Sequence, residues 1–552
     1  MVSFFTFVVS MFITMVLVPP LMKSAARFSF IDEPRERKVH QTPIPRIGGV
    51  AMVIGVLTPV LLWADRPPMV ISFLLGIGVI LIFGIWDDRS TLSHRVKFFG
   101  QFLAIAIVVF YGDVKIYYLP FHSINPVPEW FAIPFTFFAL LGVTNAINLS
   151  DGLDGLASGT MLLSVAAIGL LAFISDDSIL LIFSLALMGS IIGFLRYNTY
   201  PAQVFMGDCG SQFLGFTVGV LVVILTQKTN PALSPSMTLL LLGLPNIDTF
   251  IVMGQRVWEG RSPFSPDRNH VHHKLLNVGF DHYEAVVIIY LFQAFIVMVA
   301  FASRYESDLF NMSLFAGILL AIVFLFRFGA AIGWRAHERK RKEFRTPLAR
   351  FIRRLRKKGV LEGYPTYFIA CSVPIYLIWS ITTLNGLPKD GALSALALLC
   401  VATSFLLIYR VKPGVSVFER VVFYITTTMV VYYANQSNTT TIGVANGLLN
   451  LENVYFLSLV IAIVFAYRFI RPQQFRVTPT DFLVILLAII APGLLGDILP
   501  HGNVMAIGAK TVILFYAFEL IFARLAGKEV LLRLTLVLIL AFMTMISLPG
   551  RF

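Results

Sequence analysis

Carboxylates and histidines of this 552-residue chain cluster at four places where long apolar runs end. A carboxylate beside hydrocarbon is costly unless it is paired, hydrated or bound to a metal. Four such clusters in one apolar chain therefore indicate a functional site, and we expect a magnesium-dependent enzyme. The clusters are Asp87 with Asp88, Asn148 with Asp151 and Asp154, Phe205 with Asp208, and His270 with His272 and His273.

Asp208 lies in a Met-Gly-Asp-Cys-Gly-Ser segment between two apolar runs. Glycines there let the backbone approach a ligand, and the carboxylate suits a hard cation on a phosphate substrate. Capping of a helix N-terminus by an aspartate explains the segment about equally well.

Asp151 and Asp154 are three residues apart, which places both carboxylates on one face of a helix, one turn from Asn148. This polar stripe suits a sugar, a nucleotide or a metal. Turn formation by the two Asp-Gly pairs is the alternative.

Asp87 and Asp88 are adjacent, so they repel each other unless a cation lies between them. That pair suits a metal site or proton transfer, or else an interfacial turn balanced by nearby arginines.

Two polar segments supply cations and imidazoles. In the segment that contains Arg268 and the three histidines, zinc is disfavoured because no cysteine lies near, and contacts with phosphate are favoured over a plain exposed loop. The first loop offers Lys38, His40 and Arg46 just before a helix. Donors beside a helix N-terminus suit a pyrophosphate, although membrane topology alone explains the basic residues equally well.

The composition predicts a polytopic membrane protein. Hydrophobic residues make up 57% of the chain and charged residues 13%, which is too apolar for a soluble globule. A span needs about 20 mainly apolar residues, and roughly seventeen or eighteen such stretches are present. The first stretch lacks the basic start and the cleavage site of a signal peptide, so we expect it to be a retained helix. Three cysteines without a pairing pattern predict no disulfide framework.

The net charge of +13 arises from basic residues in short loops between apolar runs, which favours membrane topology over nucleic-acid binding. Such loops lie on the cytoplasmic side, so the N-terminus is expected outside and all four clusters inside. The basic loops cover residues 23–46, 89–97, 255–274, 335–358, 410–420, 468–476 and 524–533.

A composition break at residues 334–363 divides the chain. We expect a first domain over residues 1–335 that carries every cluster, a basic cytoplasmic linker over residues 336–363, and an accessory transmembrane domain of about seven helices over residues 364–552. No Walker, dinucleotide-binding or serine-elbow motif is present, whereas carboxylates for magnesium and cations for a pyrophosphate suit phosphoryl transfer to a lipid.

The order of these motifs resembles the polyprenyl-phosphate N-acetylhexosamine-1-phosphate transferases over residues 1–335. The matching segments are Arg37-Lys38-Val39-His40 with Pro45-Arg46-Ile47-Gly48-Gly49, Trp86-Asp87-Asp88-Arg89, Asn145 to Gly155, Phe205-Met206-Gly207-Asp208, and Ser262 to His273. The resemblance implies an all-α fold of about 10–11 transmembrane helices around a cytoplasm-facing cleft in a bacterial inner membrane. The extension departs from the family, and its apolar runs predict about seven more helices.

The resemblance also implies a reaction. The His-Val-His-His motif is similar to the GlcNAc-type branch, so a UDP-N-acetylhexosamine, in particular UDP-GlcNAc, would donate its sugar phosphate to undecaprenyl phosphate. UMP would leave, and a lipid-linked cell-envelope glycan would begin. The alternatives are another UDP-N-acetylhexosamine or a MurNAc-pentapeptide donor, and, in different classes, a lipid or solute transporter or a scaffold. Expected partners are these two substrates, the bilayer and a second copy of the chain, with no nucleic acid.

The resemblance also implies roles for the residues of this chain that match the positions of the family motifs. Asp87, Asp88 and Asp208 would be catalytic, and Asp208, Asp151 and Asp154 would hold magnesium, with manganese as a substitute. Direct attack by the lipid phosphate is favoured over a covalent intermediate on an aspartate, because that phosphate is already largely ionised near neutral pH. The implied substrate contacts are Lys38, His40, Arg46, Arg95, Asn148, Phe205, Arg268, His270, His272 and His273. Of these, Phe205 would stack on the uracil.

Overall fold

The computed structural model describes residues 2–32, 43–120, 125–262, 269–336, 360–382, 399, 417–441, 451–469, 503–524 and 530–546. The chain forms two compact units. One contains Met1–Lys340, and the other contains Arg341–Val477 and Leu487–Phe552.

The first unit is helical apart from one short antiparallel strand pair, β1 (Ile31–Asp32) with β2 (Ile44–Pro45). Its helices are α1 (Val2–Ala25), α2 (Gly48–Trp63), α3 (Pro68–Ser90), α4 (His94–Ala106), α5 (Glu129–Ser150), α6 (Leu156–Ile174), α7 (Ser178–Asn198), α8 (Gly207–Ile224), α9 (Met237–Leu242), α10 (Leu244–Trp258), α11 (Val271–Val278), α12 (His282–Ala302) and α13 (Asp308–Ala331). Helices α4 and α8 continue into π-helical turns at Ile107–Tyr111 and Leu225–Thr229.

The described part of the second unit is also helical, and apolar side chains from all five of its helices pack into one core. These helices are α14 (Val360–Thr382), α15 (Val417–Thr441), α16 (Leu451–Phe469), α17 (Asn503–Arg524) and α18 (Val530–Ile546).

Ten helices of the described chain are long and apolar enough to cross a membrane. Nine of them belong to the first unit, and Tyr364–Thr382 is the tenth. The 16-residue apolar helix α2 adds a shorter member to the first unit. The prediction of an all-α polytopic membrane protein is therefore confirmed.

Helix α8 lies at the centre of the first unit and is buried along its length. It packs against α2, α3, α5, α6 and α7. Small residues permit this close packing, since a side chain at Gly215 would meet the backbone of Thr144 on α5. A central helix held by five neighbours fixes the position of its first residues, which include Asp208.

Helices α2 and α8 meet through backbone atoms. The amides of Gly48 and Gly49 donate hydrogen bonds to the carbonyl oxygens of Phe205 and Met206, each at 3.0 Å, so two N–H groups that a helix start leaves unpaired are satisfied by the segment before α8. A Cβ atom at Gly49 would collide with the backbone of Gly210 and with the Met206 carbonyl. Only glycine permits this approach.

Replacing Gly49 with alanine is therefore expected to destabilise the first unit by at least about 3 kcal/mol, because backbone atoms cannot move aside as a flexible side chain can. Thermal unfolding of the detergent-purified protein measures the loss. Gly142→Ala is the matched control, because a Cβ there meets no heavy atom within 4 Å. Equal thermal stability of the two variants would contradict the close approach of α2 and α8.

Candidate active site

Asp208 is presented by the first turn of α8. Gly207, just before it, has a φ of +70°, and a Cβ there would collide with the carboxylate of Asp88 from α3. Glycine therefore permits both the left-handed backbone and the close approach of Asp88.

Asp88 caps α8 from a different helix. Its two carboxylate oxygens accept the amides of Asp208, at 2.8 Å, and Cys209, at 3.0 Å. Met206, the N-cap residue of α8, forms no side-chain cap. A carboxylate at the positive end of the helix dipole stabilises the helix and ties α3 to it. Asp88 thus positions the start of α8, and the catalytic role that the sequence resemblance implies for it stays a prediction.

The reactive groups converge on Lys97 of α4. Its Nζ lies 2.5 Å from Oδ2 of Asp87 and 3.4 Å from Oδ2 of Asp208. The Asn148 amide at the end of α5 donates to Oδ1 of Asp208 at 3.2 Å. Asp87 is buried, but the side chains of Lys97 and Asp208 are 23% and 28% exposed, so a ligand can reach both. Helices α3, α4, α5 and α8 thus build one centre.

Asp151 lies just beyond the end of α5 and is half-buried. Desolvation raises its pKa to about 7, with repulsion by Asp208 and Asp154 adding to the rise and the Arg46 charge opposing it. The carboxylates of Asp151 and Asp208 therefore repel each other across this region. A cation between them would relieve that repulsion.

The Asp154 side chain binds the backbone of the loop between α7 and α8. Its Oδ2 accepts the Ala202 amide at 2.9 Å, and its own amide donates to Nε2 of His282 at 3.2 Å. The His282 ring in turn stacks on Tyr200, with 4.3 Å between ring centroids. Asp154 thereby holds the loop that leads to Phe205.

Metal binding by Asp151, Asp154 and Asp208 stays a prediction. In the portion of the chain that the structure describes, no three His, Cys, Asp or Glu side chains form a ready-made metal site.

Phe205 and Arg46 are neighbours through the backbone. The Phe205 amide donates to the Pro45 carbonyl at 2.8 Å, and Arg46 forms a parallel bridge with Phe205. The Arg46 guanidinium pairs with Asp32 at 2.6 Å. Arg95 is exposed in the first turn of α4, two residues before Lys97.

The histidine motif is anchored by an aspartate of α10. Oδ2 of Asp248 lies 2.7 Å from Nδ1 of His270, and Oδ1 accepts the Val271 amide at 2.8 Å. Both side chains are buried. Asp248 therefore caps α11 and fixes the His270 ring. Asp248 is not among the residues predicted from the sequence, although a carboxylate within the apolar segment 244–252 was the available signal.

The other two histidine rings pack in series against His270, which Asp248 holds in place. His272 stacks on His270 with 5.7 Å between centroids, and His273 lies 4.2 Å from His272. A Cβ at Gly152 would collide with the His272 ring, so this ring packs against the residue next to Asp151. The motif is thus joined to the acidic cluster.

His272 is neutral in this packing. Desolvation, with repulsion by His273, lowers its pKa to about 3. It can exchange hydrogen bonds with a phosphate but, in this state, contributes no positive charge. Lys38, His40 and Arg268, which were also expected to contact substrate, lie outside the described residues.

The buried His272 predicts a specific loss of stability in acid. Its folded-state pKa is depressed from 6.5, so its contribution is fully present above pH 6.5 and is lost as the pH falls toward 3, at about 1.4 kcal/mol per pH unit. Thermal unfolding of the wild type and of His272→Gln between pH 7.5 and 5 measures the difference. The wild type should lose stability faster below pH 6.5, and parallel curves would contradict a buried neutral ring.

Comparison with known proteins identifies the family of this chain. Residues 70–226 match the sequence profile described as glycosyl transferase family 4. A protein of Bacillus subtilis (strain 168) named probable undecaprenyl-phosphate N-acetylglucosaminyl 1-phosphate transferase is 35% identical over 324 residues, which cover 58% of this chain and 89% of that protein. The chain belongs to glycosyl transferase family 4.

Other members of glycosyl transferase family 4 show similar coverage. The decaprenyl-phosphate N-acetylglucosaminephosphotransferase of Mycolicibacterium smegmatis is 34% identical over 54% of this chain and 81% of its own length. The undecaprenyl-phosphate alpha-N-acetylglucosaminyl 1-phosphate transferase of Escherichia coli (strain K12) is 30% identical over 61% and 90%. The resemblance seen in the motifs is confirmed, and the chain is an enzyme, a phosphotransferase of this family.

Proposed function

We propose that this enzyme transfers N-acetylglucosamine-1-phosphate from UDP-GlcNAc to undecaprenyl phosphate and releases UMP. The names of the relatives support the sugar phosphate and the polyprenyl acceptor. The observation that carries the proposal is the placement of Lys97 between Asp87 and Asp208, because it combines a partly exposed cation with a partly exposed carboxylate at the start of a buried helix. Phosphoryl transfer needs this combination of charges.

We propose that the site faces the cytoplasm. Its groups lie at the end of α3, the start of α4, the end of α5 and the start of α8. The adjoining loops at residues 23–46, 89–97 and 255–274 are rich in lysine and arginine, which favours the cytoplasmic side. The lipid phosphate would then enter from the inner leaflet, and the nucleotide from the cytoplasm.

In the proposed reaction an oxygen of the lipid phosphate attacks the β-phosphorus of UDP-GlcNAc. A new P–O bond forms to the lipid, the bond between the α- and β-phosphates breaks, and UMP leaves with its electron pair. Lys97 would orient the phosphates and offset their charge. Asp87 holds Lys97 in place, and Asp88 holds the start of α8 on which Asp208 sits.

The residues present fit a magnesium ion. Asp208 is partly exposed and its charge raises the pKa of Asp151, so a dication beside both carboxylates would offset their repulsion. Mg²⁺ is usually held by one or two carboxylates together with substrate phosphates. We propose that Asp208 holds it and that Asp151 lies close enough to assist. When bound, the ion would neutralise charge that develops on the pyrophosphate.

The nucleotide is proposed to bind between the Phe205 loop and the histidine motif. Phe205 is partly exposed beside Arg46, and Asp154 fixes the loop that carries it. His272 and His273 lie next to the turn that contains Asp151. The neutral imidazole of His272 can exchange hydrogen bonds with phosphate oxygens. The catalytic domain is proposed to be the unit of Met1–Lys340, since every described site residue lies in it.

The test is release of UMP by the purified protein with undecaprenyl phosphate and a panel of UDP-sugars, with and without magnesium. We expect UMP from UDP-GlcNAc that depends on both lipid and metal. Release of UMP from another UDP-sugar, and none from UDP-GlcNAc, would show that UDP-GlcNAc is not the donor. No release from any of them would overturn the proposed reaction.

A further inference from the structure

A chain of three side-chain amides, two of them buried, lies one helical turn below the proposed reaction centre. Nε2 of Gln101 on α4 donates to Oε1 of Gln212 on α8 at 3.1 Å. Oε1 of Gln101 accepts from Nδ2 of Asn145 on α5 at 3.0 Å. Gln101 and Gln212 are only 2% and 3% exposed. We call these three side chains the amide layer.

Each member of the amide layer lies one turn from a residue of the centre. Gln101 follows Lys97 by four residues, and Gln212 follows Asp208 by four residues. Asn145 precedes Asn148 by three residues and also donates to the Leu141 carbonyl of its own helix at 2.8 Å. Residues three or four apart lie on the same face of a helix. The layer and the centre therefore join the same three helices at two successive levels.

The two levels differ in the length and the burial of the contacts that join α4, α5 and α8. At the centre, Asp208 lies 3.4 Å from Lys97 and 3.2 Å from Asn148, and both contacts are near the long end of hydrogen bonding. In the layer, the hydrogen bonds are 3.1 and 3.0 Å long, and the side chains of Gln101 and Gln212 are buried between helices, where water cannot readily replace a lost partner. The contacts that fix the register of α4, α5 and α8 thus lie below the groups that react.

We propose that Gln101, Gln212 and Asn145 are positioning residues that set the separation of Lys97, Asp208 and Asn148 for phosphoryl transfer. The inference rests on the proposed function. Transfer between two phosphates depends steeply on position, and a displacement of about 1 Å can cost roughly 100-fold in rate. Packing alone would not require an amide at the same level on all three helices.

The test compares Gln101→Leu with Gln293→Leu. Gln293 of α12 is also a buried amide, which accepts from the Leu244 amide at 2.7 Å and donates to Ser164 at 2.9 Å. Neither of these two partners is a proposed site residue. For each variant kcat, KM for UDP-GlcNAc and thermal stability are measured. We expect kcat of Gln101→Leu to fall about 10- to 100-fold with little change in KM, while Gln293→Leu loses similar stability but keeps wild-type kcat.

Further variants keep the test decisive if Gln101→Leu does not fold. Gln212→Leu removes the oxygen that accepts from Gln101 and should lower kcat about as much as Gln101→Leu does. Asn145→Leu removes the hydrogen bond between Asn145 and Gln101. It replaces Gln101→Leu in the comparison with Gln293→Leu if Gln101→Leu does not fold. Wild-type kcat in folded layer variants, or equal losses in Gln293→Leu, would overturn the inference. An inactive wild type would overturn the proposed function itself, and the inference with it.

Discussion

Replacing Asp208 with asparagine is expected to lower kcat/KM by at least about 10³-fold while the protein stays folded. The side chain is 28% exposed, and an asparagine can still accept the hydrogen bond from Asn148. What is lost is the negative charge that we propose to hold the metal beside the pyrophosphate. Initial rates of UMP release across a magnesium titration measure the effect.

The control for this prediction is Asp65→Asn, since Asp65 is an exposed carboxylate in the loop between α2 and α3. It should keep wild-type kinetics. If Asp208→Asn retained more than about a tenth of the wild-type kcat/KM at every magnesium concentration, Asp208 would not be the metal ligand.

Replacing Lys97 with methionine should affect both activity and stability. The variant leaves the buried carboxylate of Asp87 without the ammonium group 2.5 Å away, which is expected to cost about 3 kcal/mol of unfolding free energy. It also removes the exposed cation beside Asp208, so we expect kcat to fall by at least about 10³-fold. Thermal unfolding and steady-state kinetics measure the two effects separately.

The two effects of Lys97 can be separated with a second substitution. In Asp87→Asn/Lys97→Met no buried charge is left unpaired, and the asparagine can still accept the Leu92 amide that now bonds to Asp87 at 2.7 Å. Stability should therefore return toward the wild type while activity stays low. Recovery of activity in the double variant would show that Lys97 only neutralises Asp87 and does not act on the phosphates.

The apolar runs and the acidic clusters predicted the fold class and the neighbourhood of the site. Spans could be recognised because a membrane requires long apolar helices with internally paired backbones. Asp87 and Asp208 stood out because carboxylates beside hydrocarbon are costly. Both signals are local in the sequence, so no tertiary information was needed.

The different roles of the acidic residues could not be predicted from the sequence. Asp87 and Asp88 look equivalent as neighbours, yet Asp87 pairs with Lys97 and Asp88 caps α8. The difference depends on which helix each side chain faces, and adjacent residues on a helix face directions about 100° apart. Only the packing of α3 between α4 and α8 assigns them.

Lys97, Asp248 and Gln101 were missed for a related reason. Lys97 reads as one of many basic residues that orient a membrane protein, and Gln101 reads as an isolated polar residue in an apolar helix. The roles of Lys97 and Gln101 arise from contacts more than 100 residues away in the sequence, to Asp208 and Gln212. A single sequence without such contacts gives no reason to prefer them.

The most direct test of the proposed reaction follows the two phosphates of the donor. UDP-GlcNAc labelled at the β-phosphate is incubated with the full-length protein, undecaprenyl phosphate and magnesium, and the label is traced after extraction of the lipid. Transfer of the sugar phosphate predicts that the label enters the lipid while unlabelled UMP accumulates in equal amount. Label that stays in soluble UDP, with only the sugar on the lipid, would contradict the account.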